Sequence, residues 1–255
     1  MAMAHYDSYV ICTSPRSGST LRCNLLAATG IAGKPESHFH DPSIADWLGY
    51  YDLTPDAALS EREVLAQIFR AAIAEGSGDT GLFGLRLQRH SFDFFTEKLA
   101  VLHAGLSSDV ERFQAAFGPT LFIHLTRRDK VEQSVSYVKA QQSGLWHAAP
   151  DGTEIERLSP PQEPRYDAGE IRAKFDEVTA FDRDWEAWFE SEKIDPLRIT
   201  YEALSKDPLA ALRQVLDRLG LDPAAASGVT PGVAKLADKT SREWAARFRA
   251  ELDTS

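Results

Sequence analysis

The sequence predicts an α/β fold in which a parallel sheet carries helices on both faces. Three observations lead there. Short apolar, β-branched runs alternate along the chain with helical patterns. The first run passes through a tight polar loop directly into a helix. The length of 255 residues, with 43% apolar and 26% charged residues, is ordinary for a globular chain and is enough to bury a sizeable core.

The elements follow in order. Residues 9–13, Tyr-Val-Ile-Cys-Thr, form a buried strand that stops at Ser14 and Pro15. Residues 19–29 form a helix with Leu21, Leu25 and Ala28 on one face, ended by Gly30. Further strands are expected at 83–87, 121–126 and 197–201. Helices are expected at about 61–75, 92–102, 129–143, 168–192 and 208–219. Trp185, Trp188 and Phe189 fall at helical spacing and are assigned to the core. The segment 148–165 contains Pro150, Pro160, Pro161 and Pro164 and is read as a long surface loop near the active site. No repeat or low-complexity tract interrupts the pattern, so one domain is expected over 1–255.

Charge and cysteine content exclude several classes. The formal charge of −10 argues against a nucleic-acid binder, whose affinity would come from clustered Lys and Arg. A local basic cluster can still hold an anion. Cys12 and Cys23 are too few for a disulfide framework or a complete zinc site and suit a reducing compartment. Met1–Ser8 lacks a basic region followed by an apolar stretch, and no run approaches the ~20 apolar residues of a membrane span. The expectation is a cytoplasmic protein without membrane insertion.

The first chemical motif is the loop Ser14-Pro15-Arg16-Ser17-Gly18-Ser19-Thr20. It joins the first strand to the first helix, where an α/β sheet cradles anions. Gly18 permits close backbone approach. Ser17, Ser19 and Thr20 add hydroxyl donors, and Arg16 adds a fixed charge. A nucleotide triphosphatase loop would need Lys where Ser19 stands and Gly where Thr13 stands. No strand ends in an Asp for magnesium. A tyrosine-phosphatase loop would need Arg six positions after Cys12, where Gly18 stands.

Pro15-Arg16-Ser17-Gly18-Ser19-Thr20 resembles the 5′-phosphosulfate loop of sulfotransferases that use 3′-phosphoadenosine 5′-phosphosulfate (PAPS). That resemblance implies a P-loop-like sheet. A second motif follows the strand at 121–126. Asp129 and Glu132 have capping-box spacing, so a helix starts at Lys130. Arg128 precedes the cap, and Ser136 lies eight residues later, two turns into the helix. Such a pair can grip one phosphate from two sides. The resemblance assigns this spacing to the 3′-phosphate of PAPS, with Arg127 as the rival one residue earlier. Residues 133–146, 30–35, 83–87 and 237–244 are similar to the bacterial trehalose 2-sulfotransferase type. Ser37-His38-Phe39-His40 is similar to lipopolysaccharide sulfotransferases of the same broad family.

Transfer to a hydroxyl needs a group that takes its proton. The resemblance puts a Glu two residues after the Pro of the G-x-P motif. Here that position, counted from Pro35, is Ser37, which is no unassisted base. In an extended segment Glu36 and His38 share the opposite side. His38 is the first candidate base, because its unperturbed pKa suits neutral pH. Glu36 is the second. His38-x-His40 lacks an evident third metal ligand.

Among the remaining residues, Arg86 faces either the sulfate or an ion-pair partner. Trp146 stacks on a sugar or packs. Lys235, Lys239 and Arg242 close over the donor or start a solvated helix. The resulting expectation is a metal-free, PAPS-dependent sulfotransferase acting on a sugar or glycolipid hydroxyl, implied by the resemblance to be a homodimer. Its rivals are an atypical P-loop kinase and a PAPS- or adenosine-bisphosphate-binding regulator without turnover.

Overall fold

Along the first strand, Tyr9 and Ile11 point to one face of the sheet and Val10 and Cys12 to the other, and all four are fully buried. A strand apolar on both faces has to be covered on both. The computed structural model, which describes residues 6–234 and 236–253, shows that arrangement. Its central sheet contains β1 (Ser8–Thr13), β2 (Phe83–Gln88), β3 (Thr120–Thr126) and β6 (Leu197–Thr200). All neighbouring pairs are parallel, in the order β2-β1-β3-β6. The main chain of Glu36 adds a single parallel bridge at Leu85, on the free edge of β2.

One face packs on α1 (Ser19–Ala28), α8 (Tyr201–Lys206) and α9 (Pro208–Leu219), through Leu25, Leu26, Leu204, Leu212 and Leu216. The other packs on α3 (Glu61–Ser77), α4 (Arg89–Leu102), α5 (Asp109–Phe117) and α7 (Ala168–Ser191). That core is aromatic. Phe69 stacks on Phe95 and Phe117, and Trp185 stacks on Phe189. A third cluster joins α6 (Lys130–Ser143) and α7 to α10 (Lys239–Leu252), through Val135, Val138, Ile171, Trp244 and Phe248.

The four expected strands and six expected helices are present, with small shifts at their ends. Four further α-helices form among the described residues, α8 being one of them. In α2 (Ile44–Tyr50) the Ser43 hydroxyl caps the first turn, and in α5 Ser108 and Glu111 make a full capping box. Asp238 and Ser241 do the same for α10. Such caps typically contribute about 1 kcal/mol each, enough to fix where a short helix starts.

The largest difference lies in the segment expected to be a surface loop. Part of it forms an antiparallel hairpin, β4 (Leu145–Ala148) with β5 (Glu154–Arg157). Its turn closes with the Ala149 N–H donating to the Thr153 carbonyl at 2.8 Å, and Gly152 has a φ of 89°. The prolines that suggested a loop lie in the turn and after β5, outside both strands.

Candidate active site

The loop at the end of β1 bends because Arg16 and Gly18 both take positive φ, 64° and 85°. At Gly18 a side chain is excluded twice over. The conformation is left-handed, and an added Cβ would lie 2.8 Å from the ring of Tyr201. The loop is also held from α6. The Gln133 amide donates to the Pro15 carbonyl at 2.7 Å and to the Ser14 hydroxyl at 3.0 Å. Ser17 turns inward, and its hydroxyl shares a hydrogen bond with Thr13. Ser17 is therefore a structural member of the loop, and its hydroxyl does not face the solvent side.

Arg16 joins the two sequence motifs. Its Nε donates to Ser136 Oγ at 3.0 Å, and Nη1 donates to the Trp146 carbonyl on β4 at 2.6 Å. Burial, reinforced by the nearby Arg127 charge, pushes its pKa down to about 10. Arg127 is 5% exposed and leaves the end of β3 toward the same place. It donates to Glu132 at 2.8 Å and lies over the Tyr201 ring at 4.5 Å. Its Nε is buried without a hydrogen-bond partner.

Arg16, Arg127 and Ser136 line a cavity of about 460 Å³, closed on the far side by Leu236–Asp238 and Thr240–Arg242. Lys139 also lines it but is engaged by Asp238 and Ser241. Arg242 lines this cavity from the first turn of α10 and is exposed. Lys239 is directed outward and pairs with Glu243 at 3.6 Å. Lys235 lies outside the described residues.

Arg128, the arginine at eight-residue spacing from Ser136, is exposed and does not line the cavity. Its main-chain N–H donates to Glu202 at 3.0 Å. The arginine that the fold brings to Ser136 is Arg127. The reason is local: Arg127 directly follows β3 and is buried, whereas Arg128 sits at a bend before α6 and is exposed.

A second polar cluster lies on the other side of the loop. Arg86, from β2, donates from Nε to Ser37 Oγ at 2.7 Å and from Nη1 to Thr20 Oγ1 at 2.9 Å. Thr20 Oγ1 also meets His147 Nε2 of β4 at 3.0 Å. Neither Arg16 nor Arg86 has a carboxylate in ion-pair distance among the described residues. Half-buried guanidinium groups hydrogen-bonded to neutral oxygens retain the capacity to balance an anion.

The two expected bases are separated from each other. His38 is 5% exposed, packed between Tyr51 and Phe83. Its Nδ1 meets the Tyr51 hydroxyl at 3.0 Å, and its Nε2 is buried against Gly76 without a partner. Burial pushes its pKa down to about 4. His38 therefore has no path to the loop, and the sequence expectation for it does not fit its place in the fold. Glu36 is exposed. The position between them, Ser37, is the one joined to the loop through Arg86.

Three contributors had not been singled out by sequence: Gln133 as a loop anchor, Tyr201 beneath Gly18, and His147. Gln133 had a signal, since it lies three residues before Ser136 on one helix face. His147 had one too, because Asp151-Gly152 between two short alternating runs marks a hairpin.

A parallel sheet that presents a glycine loop and buried guanidinium groups at its strand ends defines an α/β protein able to hold a polyanion. The chain belongs to the Stf0 sulphotransferase family, whose model matches residues 8–251. Trehalose 2-sulfotransferase of Mycolicibacterium smegmatis is 30% identical, covering 97% of this chain and 96% of that protein. Trehalose 2-sulfotransferase of Mycobacterium tuberculosis is 29% identical, over 95% and 94%. A solved sulfotransferase structure from Alicyclobacillus acidocaldarius matches with a TM-score of 0.44 and 13% identity, over 98% of this chain and 93% of that one.

Proposed function

We propose that this sulfotransferase moves the sulfuryl group of PAPS to a hydroxyl of a carbohydrate or glycolipid. The observation that carries the reading is the 3.0 Å bond from Arg16 to Ser136, which unites the glycine loop and the helix α6 hydroxyl in one cavity with Arg127. A nucleotide with phosphate at both 5′ and 3′ positions needs two anion sites at a fixed separation. In this reading the main-chain amides from Gly18 onward, with Ser19 and Thr20, hold the 5′ side. Arg127 and Ser136 hold the 3′-phosphate. Arg16 stands between them and balances charge that grows on the leaving 5′-phosphate as the sulfur–oxygen bond breaks.

The acceptor belongs with Arg86, Thr20 and the hairpin, on the loop face opposite the cavity. The names of the two relatives support a sugar there. The Trp146 ring, 5.8 Å from the Tyr137 ring and beneath the Arg16 guanidinium, is an amphipathic surface next to the reacting end of the loop. The reading includes action as one domain, supported by the two cores that lie on opposite faces of the same β1 and β3 strands. It also includes a homodimer in the cytoplasm. Two buried, unbonded cysteines suit that compartment, and no helix among the described residues is long and apolar enough to cross a membrane. The charge of −10 favours a small polyanion over nucleic acid as the bound partner.

Donor binding gives a direct test. Adenosine 3′,5′-bisphosphate should raise the melting temperature in the presence of a chelator, with no magnesium added. ATP, which lacks a 3′-phosphate, should do much less at equal concentration. Equal stabilisation by ATP, or a strict magnesium requirement, would contradict the donor assignment.

A further inference from the structure

We propose that His147, on the hairpin strand β4, is the group that takes the proton of the acceptor hydroxyl. The inference rests on the sulfuryl-transfer reading and specifies its missing base. Its grounds are geometric.

Consecutive residues of β4 reach the two sides of the loop. Trp146 receives Arg16 through its carbonyl, and His147 puts Nε2 3.0 Å from Thr20 Oγ1. Thr20 Oγ1 accepts a hydrogen from Arg86, and in the tautomer protonated on Nδ1 its own hydrogen points at Nε2. Nε2 then carries a lone pair aimed at the loop, which is the form a base requires. An acceptor hydroxyl entering beside Thr20 takes that lone pair by displacing the Thr20 hydrogen, which can turn to another acceptor.

Of the groups hydrogen-bonded at Thr20, His147 is the one that can take a proton, and the exposed Glu156 carboxylate meets this point at His147 Nε2. Arg86 has no acceptor capacity, Thr20 and Ser37 are hydroxyls, and His38 is enclosed between Tyr51 and Phe83.

The charged groups facing His147 are Arg16 from the loop, Arg86 from β2 and Glu156 from β5. Burial, with the two arginines, pushes the imidazole down to about 4, so it is neutral near pH 7. A bound donor brings negative charge that offsets the arginines and raises its basicity in the ternary complex. Glu156 Oε2 lies 3.4 Å from Nε2, positioned to stabilise the imidazolium once it forms.

The step balances as follows. The acceptor oxygen forms a bond to sulfur while the bond from sulfur to the 5′-phosphate oxygen breaks. The electron pair of that bond stays on the phosphate oxygen. The hydroxyl proton passes to His147 Nε2 and is later released to water. The products are the sulfate ester and adenosine 3′,5′-bisphosphate.

The test uses the full chain, PAPS and a panel of sugars that includes trehalose. His147→Gln keeps an amide that can bond to Thr20, so it preserves a purely structural role and removes the base. Its turnover should fall by roughly 10²–10⁴, the usual worth of a general base. Its affinity for adenosine 3′,5′-bisphosphate should stay within a few-fold of wild type.

Wild-type kcat should decline toward low pH as the imidazole protonates, and that limb should be absent in His147→Gln. Added imidazole should restore part of the turnover of His147→Ala. Near-normal turnover in His147→Gln would overturn the assignment. So would an inactive Glu36→Gln that keeps nucleotide affinity while His147→Gln is active, which would give the role to the carboxylate. A parallel loss of affinity and rate in His147→Gln would reduce His147 to a structural clasp. No transfer by the wild-type chain to any sugar, by contrast, would overturn the sulfuryl-transfer reading itself.

Discussion

Arg16→Ala should lower turnover by about 10²–10³ while changing the affinity for adenosine 3′,5′-bisphosphate by less than about tenfold. The asymmetry follows from where the charge is. Arg16 is half-buried, hydrogen-bonded to a serine hydroxyl and a carbonyl beside the Trp146 ring, with no ion-pair partner among the described residues. Its positive charge is thus already partly desolvated and available when charge accumulates on the leaving phosphate. A group that acts there contributes mainly in the transition state, so kcat should carry the loss. Arg16→Lys should recover only part of it, because an ammonium cannot reach Ser136 and the Trp146 carbonyl with one planar fork. Single-turnover rates together with nucleotide titrations separate the two effects. Equal losses in rate and affinity would make Arg16 an ordinary binding residue.

The second large effect is expected at Arg127. Its removal should weaken adenosine 3′,5′-bisphosphate by roughly 10- to 150-fold, corresponding to about 1.5–3 kcal/mol for a charge-assisted hydrogen bond. Arg128→Ala should stay within about twofold of wild type, since Arg128 is exposed and away from the cavity. Adenosine 5′-monophosphate, which lacks the 3′-phosphate, should bind both variants alike. The measurement is a titration of each variant with both nucleotides, alongside melting temperatures to establish that Arg127→Ala is folded. The reverse ranking would return the role to the arginine at eight-residue spacing.

That pair of arginines illustrates what the sequence could and could not convey. The sheet was legible because β1 is apolar on both faces, and its alternating partners demand two covering layers. The loop was legible because Gly18 and the flanking hydroxyls stand where β1 meets α1. The choice between Arg127 and Arg128 was not. It depends on which side of the strand end faces α6, a twist that spacing alone does not encode. The base was harder still. An alternation argument placed Glu36 and His38 together, yet only the main chain of Glu36 bridges the sheet edge, and His38 turns into the aromatic layer. His147 comes from more than a hundred residues away, on a hairpin whose prolines masked its two short strands. Its proximity to Thr20 is a product of tertiary packing, which the Asp151-Gly152 turn signal of its hairpin does not convey.

The measurement that bears most directly on the account is transfer of labelled sulfate from PAPS to a panel of sugars and glycolipids, with a chelator present and no metal added. The account predicts a labelled sulfate ester on a sugar hydroxyl, formed in equal amount with adenosine 3′,5′-bisphosphate, and lost in Arg16→Ala. Tight binding of the nucleotide with no labelled product on any acceptor would contradict it and would leave a nucleotide-binding protein without turnover.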